Sequence, residues 1–233
     1  MWWLLSFACA PDAVNVRGVV YEMPASLAVV GGGTIAIRDA AADPFDDAAI
    51  GSDGVFTVTA PAGSDFFAEV TATGSVPTTF AGQAGLDDFD AEAGTVFAFT
   101  DADAWRAPFA GCPDLDAPGG QVLGEARFTD LRDPGTGGAS VAAAALVKVA
   151  LFGDDAQLRD ACVLTDDGTA LATDTLEVGE TGRFLIAGLP AGIHELRAGF
   201  QVAPDAFDYA FYTFWVAEDS VSPWFPVGLD FLE

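Results

Sequence analysis

The run from Gly182 to Phe200 limits what this chain can fold into more than any other stretch. Phe184 and Ile186 alternate with their neighbours, Gly188, Pro190 and Gly192 break the run, and a second alternating run follows. Alternation gives a strand one buried and one solvated face, and Gly and Pro supply a reversal, so the stretch reads as a β-hairpin. A fainter copy lies upstream, from Asp53-Gly54-Val55-Phe56-Thr57-Val58 through Pro61-Ala62-Gly63 to Phe67-Ala68-Glu69-Val70. The offset is 182 − 54 = 128 at the glycine and 190 − 61 = 129 at the proline. Two copies of one β unit therefore organise the chain.

Composition agrees with an all-β chain. Residues of the Lys, Glu, Gln and Met kind that build helices are scarce, while 26 Gly, 13 Pro and 19 Phe suit short strands and tight turns. At 233 residues, 51% of them hydrophobic, the chain has room for one large or two small cores and is not a disordered tail. A net charge of −26, with only nine Lys plus Arg, excludes nucleic acid as a partner. The acid is mostly Asp, and Lys148 is the single lysine. Such a surface serves solubility, or suits a saline or divalent-rich medium in which counterions screen it.

The best boundary lies where Asp101, Asp103, Pro108, Pro113, Asp114, Asp116 and Pro118-Gly119-Gly120 interrupt the pattern. The expected division is a leader over 1–10, one β-sandwich over 11–104, a linker over 105–119 and a second sandwich over 120–233. Trp105 and Phe109 mark the linker as a segment that packs on a domain rather than a free tether. Gly31-Gly32-Gly33 is a bend and not a phosphate loop, since no helix opening with Lys and Ser or Thr follows. Asp43 to Asp47 reads as a loop, Gly94 to Thr100 as a closing strand, Ala145 to Phe152 as a strand, and Trp224-Phe225 as part of a C-terminal tail.

The second copy resembles the carboxypeptidase regulatory-like domain, a transthyretin-like (prealbumin-like) β-sandwich. The likeness rests on Gly138-Ala139-Ser140-Val141, Gly182-Arg183-Phe184, Leu189-Pro190-Ala191-Gly192 and Gly199-Phe200, and covers most of 120–232. In the first copy Gly33-Thr34-Ile35 stands for the early motif, and the turn lacks its leucine. The resemblance implies two tandem transthyretin-like sandwiches. It also implies a role as spacer, stabiliser, or protein- or glycan-binding module.

Met1 to Ala10 is apolar, too short for the roughly 20 residues of a membrane span, and lacks a basic n-region. Leu5-Ser6-Phe7-Ala8-Cys9 resembles a bacterial lipobox, in which Cys9 would be lipidated and become the mature N-terminus. Ala8-Cys9-Ala10 also satisfies small-x-small cleavage to a soluble exported protein, and a buried N-terminal strand is a third reading. With Cys9 lipidated, Cys112 and Cys162 remain as an even pair in an oxidising compartment, which predicts a disulfide between them. The alternative is two separate buried thiols.

No constellation of catalytic residues stands out, and no cofactor is expected. His194 is the single histidine, with no zinc-ligand spacing around it and no Gly-x-Ser-x-Gly elbow elsewhere. It reads as a half-buried packing residue. Asp87, Asp88, Asp90 and Glu92 offer oxygen ligands to calcium, but no Asp-x-Asp-x-Asp-Gly loop holds them, so solvated acid is the plainer account. On the aromatic strand Phe207, Tyr209, Phe211 and Trp215 share one face, with Tyr212 and Phe214 on the other. Tyr209, Phe211, Trp215 and the nearby Trp224 are candidates for a sugar platform, although rings on both faces favour burial. The sequence thus predicts a non-enzymatic module exported to the bacterial outer membrane, cell surface or periplasm. It would meet the membrane through a lipid and act as a spacer or protein-interaction unit. The alternative is a carbohydrate- or calcium-binding accessory or adhesion module.

Overall fold

The alternating runs form strands, and the way the strands pair is itself repeated. The computed structural model describes residues 13–23, 28–90, 96–99, 106–112, 114–125, 147–152, 158–164, 170–172, 183–203 and 206–224, and there the chain is all-β. The first strands are β1 (Ala13–Met23), β2 (Gly33–Asp39), β3 (Pro44–Ala49), β4 (Val55–Pro61), β5 (Asp65–Ala72), β6 (Thr78–Gln83), β7 (Phe89–Asp90) and β8 (Val96–Phe99). A 3-10 turn at Ala107–Phe109 leads to β9 (Gly120–Glu125), β10 (Val147–Phe152), β11 (Leu158–Asp160), β12 (Cys162–Leu164) and β13 (Ala170–Ala172). The last are β14 (Arg183–Leu189), β15 (Gly192–Ala203), β16 (Ala206–Val216) and β17 (Val221–Trp224).

In the first repeat β4 pairs antiparallel with β1, and β7 and β8 run parallel to β1. The facing strands follow the order β3-β2-β5-β6. The second repeat uses the same plan. β14 is antiparallel and β17 parallel to β9, and the facing sheet runs β11-β10-β15-β16. β12 and β13 are extra strands on the β14 side. The equivalence reaches single residues: Gly18 lies opposite Phe56, and Gly124 lies opposite Phe184.

One sheet joins the repeats. β17 lies between β9 and β6, parallel to both, with Val221 beside Thr78 and its N–H donating to the Pro77 carbonyl at 2.8 Å. The result is a nine-stranded sheet in which β3-β2-β5-β6 continue into β17-β9-β14-β12-β13. Alternation decides what covers each face. On β5, Phe66, Ala68 and Val70 enter a core with Val14, Val16, Phe56 and Val58, while Phe67 points the other way and meets Trp215. In the second repeat Leu123, Leu185 and Val221 pack with Phe109 and Cys112, and the alternate residues Val122, Phe184 and Ile186 are buried on the opposite face. The shared sheet therefore carries the β1 sheet and the connector on one side, and residues of β15 and β16 on the other.

Several expectations are corrected. The two organising runs are not hairpins. β4 pairs with β1 while β5 pairs with β2 and β6, and β14 pairs with β9 while β15 pairs with β10 and β16. Each run turns the corner of a sandwich, so that in the first repeat Phe56 and Val58 share a core with Phe66 and Val70 across the two sheets. Gly63 and Gly188, both at φ 66°, take the left-handed backbone such corners need. Asp43 to Asp47 is not all loop: β3 begins at Pro44, at the sheet edge where a proline is tolerated. Trp224 ends β17 and is no tail, and the acidic stretch at Asp87 contains β7. The leader with Cys9, the motif at 138–141 and Gly182 lie outside the described residues. Among the described residues no helix is long and apolar enough to cross a membrane.

Candidate functional site: the seam between the repeats

The densest arrangement of unusual contacts lies where β6 meets β17. Trp215, 8% exposed, packs with Phe67 and Ala217, and Ala42 and Ile193 close the cluster. The Arg38 guanidinium lies 4.3 Å from the centroid of the Trp215 ring. Arg38 leaves the end of β2 and is held by its Nη1 donating to the Ala42 carbonyl at 3.1 Å. That carbonyl is fixed by a turn in which Asp39 Oδ1 accepts the N–H groups of Ala41 at 2.9 Å and Asp43 at 3.0 Å, with Ala42 at φ 65°. A cation over an indole contributes about 0.5–2 kcal/mol, more as water is excluded. Beside it a buried hydroxyl chain crosses the seam. The Thr79 hydroxyl bonds to that of Ser222, and Ser222 Oγ donates to the Trp215 carbonyl at 3.3 Å. These side chains are buried and bonded, which is what keeps polar groups tolerable there.

The connector forms the other wall. Phe109, 1% exposed, sits in a cluster with Leu123, Leu164, Leu185 and Val221, against which Val76 of the first repeat packs. Arg106 Nη2 donates to the Leu115 carbonyl and lies 3.6 Å from the Asp116 carboxylate. The N–H of Cys112 donates to the Phe109 carbonyl at 2.9 Å. A disulfide links Cys112 to Cys162 of β12, with Cα atoms 5.8 Å apart, as the cysteine count predicted. Trp105 lies outside the described residues, but Phe109 shows the connector packed rather than free.

Among the described residues the acidic candidates do not converge. Asp88 accepts from Asn15 twice, from the backbone N–H at 2.7 Å and from Nδ2 at 2.9 Å, which clamps the start of β7 to β1. The Asn15 side chain first, then its backbone N–H, holds the Asp88 carboxyl below its usual range. Asp87 is exposed, Asp90 stands in β7 opposite Arg17, and Glu92 lies outside the described residues. Among the described residues no group of three His, Cys, Asp or Glu side chains is placed to hold a metal ion. A second carboxylate missed by sequence reading, Asp46 of β3, accepts the Thr59 N–H at 2.8 Å and the Thr59 hydroxyl at 2.5 Å. The hydroxyl above all, and then the N–H, lowers its pKa. It ties the edge of one sheet to the edge of the other.

Trp215 is buried beneath Arg38, so its face is closed to a sugar. Tyr209 and Phe211 occupy β16 opposite Gly199 and Arg197, and Trp224 stands opposite Gly124. His194, 2% exposed, donates from Nε2 to the Pro190 carbonyl at 2.8 Å and stacks on Phe214 at 5.8 Å between centroids. It is more deeply buried than the half-buried packing residue expected.

No family model and no curated protein matches the sequence. Among solved structures, the chain is similar at 10% identity and a TM-score of 0.32 to the TIE protein of Bacillus anthracis. That match covers 92% of this chain and 33% of that one, so the chain spans about a third of its length. It is similar to the minor pilin of Streptococcus agalactiae at 12% identity and a TM-score of 0.32, over 91% of this chain and 94% of that one. For the major pilin subunit of Bacillus cereus the values are 9% identity and 0.26, over 91% and 69%. Likeness at this level leaves the fold to be read from the strands themselves, and those give an all-β chain of layered sheets with one strand plan used twice.

Proposed function

We propose that the chain is a non-catalytic spacer or protein-interaction module made of two transthyretin-like sandwiches, 11–104 and 120–233, displayed outside a bacterial membrane and anchored by lipid at Cys9. The observation that carries the reading is the seam. A spacer must transmit position, and here the repeats share a sheet, a buried hydroxyl pair and the Arg38–Trp215 contact rather than a bare tether. The repeated strand plan supports the transthyretin-like assignment, and the net charge of −26 suits a surface that stays dissolved in solvent. Residual dipolar couplings test the rigidity. Amides of β2 and β5 and amides of β9 and β14 are expected to fit one alignment tensor, and two unequal tensors would sink the spacer. The anchor is tested separately by the mass of the native mature protein, which is expected to begin at an acylated Cys9. A chain that retains Met1 unmodified rules the anchor out.

A further inference from the structure

We propose that the Cys112–Cys162 disulfide is a redox latch for the seam, so that its reduction frees the two repeats to reorient while each stays folded. The inference rests on the rigid-spacer reading above. Three observations lead to it. First, the disulfide does not join two strands of one sandwich in the usual way. It pins the connector, the stretch of polypeptide that runs from one repeat to the other, to β12 of the second. Second, the bonded pair belongs to the same buried cluster as Val221, the seam residue of β17, and Val76 of the first repeat packs on that cluster. Third, the closed bond fixes the path that ends at β9. Between the end of β8 at Phe99 and the start of β9 at Gly120 the chain has 20 residues, 100–119, and the cystine ties down the thirteenth of them.

The physical link is the packed cluster first and tether length second. The closed bond holds Phe109 and Cys112 against Leu123 and Val221, where Val76 of the first repeat also packs. Lengthening the tether from 13 to 20 residues alone shifts the seam equilibrium only about twofold. A contact between tethered partners weakens as the tether lengthens, because more conformations hold the partners apart. With the bond closed, the tether that counts ends at Cys112 or earlier. With the bond open, it can extend to Gly120 as the connector lifts from Leu123 and Leu185. In the ladder the seam is the thinner junction. Among the described residues Val221 alone of β17 pairs with β6, with the Thr79–Ser222, Arg38–Trp215 and Phe67–Trp215 side-chain contacts beside it, whereas β14 pairs with β9 at five positions within the second repeat. Reduction by a small dithiol is balanced. Two electrons and two protons pass to the cystine, the dithiol closes to its own disulfide, and Cys112 and Cys162 become thiols.

The test uses the full chain, oxidised and then reduced with a dithiol, with residual dipolar couplings on the strands named above. A Cys112→Ala/Cys162→Ala variant serves as the permanently open form. The oxidised chain is expected to give one tensor. The reduced chain and the variant are expected to lose it, with two tensors of different magnitude, each still fitted by its own repeat's strands. One tensor after reduction overturns the latch and leaves the spacer standing. Collapse of the couplings of β9 and β14 on reduction also overturns it, since the bond would then be an ordinary staple of the second repeat. Two tensors in the oxidised chain would mean that the rigid-spacer reading itself has failed.

Discussion

Val221 and Asp88 hold the same place in their repeats and do opposite things there. Val221 stands beside Gln121 on β9, whose N–H donates to the Ser220 carbonyl at 2.8 Å. Continuing the register of Val16 with Phe89 back by one residue places Asp88 beside Asn15 on β1, whose N–H donates to the Asp88 carboxylate. In the second repeat the position is apolar, 2% exposed, and inserted against β6. In the first it is an exposed carboxylate. One edge of a repeated unit is thus made sticky and the other is charged, which is how natural sheets avoid indiscriminate edge pairing. A repeat can supply both its own junction and the stop that limits that junction to one.

The largest effects should come from the paired core positions. Phe56 and Phe184 are both buried, at 2% and 0%, and lie opposite Gly18 and Gly124. Truncating either to Ala should cost about 3–5 kcal/mol. If the repeats are separate folding units, Phe56→Ala lowers an unfolding transition that the Phe184→Ala chain retains, and the reverse holds for Phe184→Ala. Pieces covering 11–104 and 118–233 should then each unfold cooperatively. A single transition shifted equally by both substitutions would show that the shared sheet makes them one unit.

Next comes the contrast at the seam. Val221→Ala removes two methyl-sized groups from a buried site and should cost about 1.6 kcal/mol at roughly 0.8 per group, seen in a denaturant melt. Asp88→Val exposes an apolar edge beside β1, so sedimentation should reveal stronger concentration-dependent self-association than in the unaltered chain. If Asp88→Val associates no more than the unaltered chain does, the carboxylate is not a stop.

These positions also mark the limits of reading from sequence. The repeat was legible because Gly54 and Gly182, and Pro61 and Pro190, recur at nearly one offset. The corners were misread as hairpins because strand, turn and strand look alike whether the chain returns along its own sheet or crosses to the facing one. Distant partners decide that: β1 and β9 claim the first run, β2 and β10 the second. One local signal was present. Phe66-Phe67-Ala68 puts apolar side chains on both faces of β5, and the structure uses both, with Phe66 in the core and Phe67 on Trp215. No such signal announces β17, a Pro-containing four-residue strand made by neighbours drawn from both repeats. Asp46 in β3 was hidden for another reason, since Pro and Asp mark turns far more often than edge strands.

A smaller effect is expected at Arg38. Arg38→Met keeps much of the aliphatic stem over Trp215 but removes the cation and the bond to Ala42. The loss should be about 1 kcal/mol, within the range for a partly exposed cation–π contact. A double-mutant cycle with Trp215→Phe isolates the pair. A coupling energy indistinguishable from zero would mean that packing alone, not charge, fastens Trp215 to the first repeat.

Acid should produce the smallest change, and it bears on the first repeat through Asp46 and Asp88. Thr59 donates to Asp46 and Asn15 to Asp88, in each case with the side-chain bond as the larger cause, and both carboxyls titrate below their ordinary value of 3.8. A carboxyl whose pKa is lower in the folded than in the unfolded chain binds fewer protons when folded. Its contribution is therefore fully present well above 3.8 and is lost as pH falls through 3.8 into the depressed folded range. Asp46 is partly exposed, so screening by solvent keeps its share below about 1 kcal/mol. Denaturant midpoints of the first repeat, compared from about pH 6 down to about pH 2.5 in the unaltered chain and in Asp46→Asn/Asp88→Asn, isolate the two groups from the rest of the acidic surface. The unaltered chain should be the more stable at the upper end, and the two curves should converge as the carboxyls take up protons. Curves that stay parallel would show that neither carboxylate clamp contributes to holding the first sandwich closed.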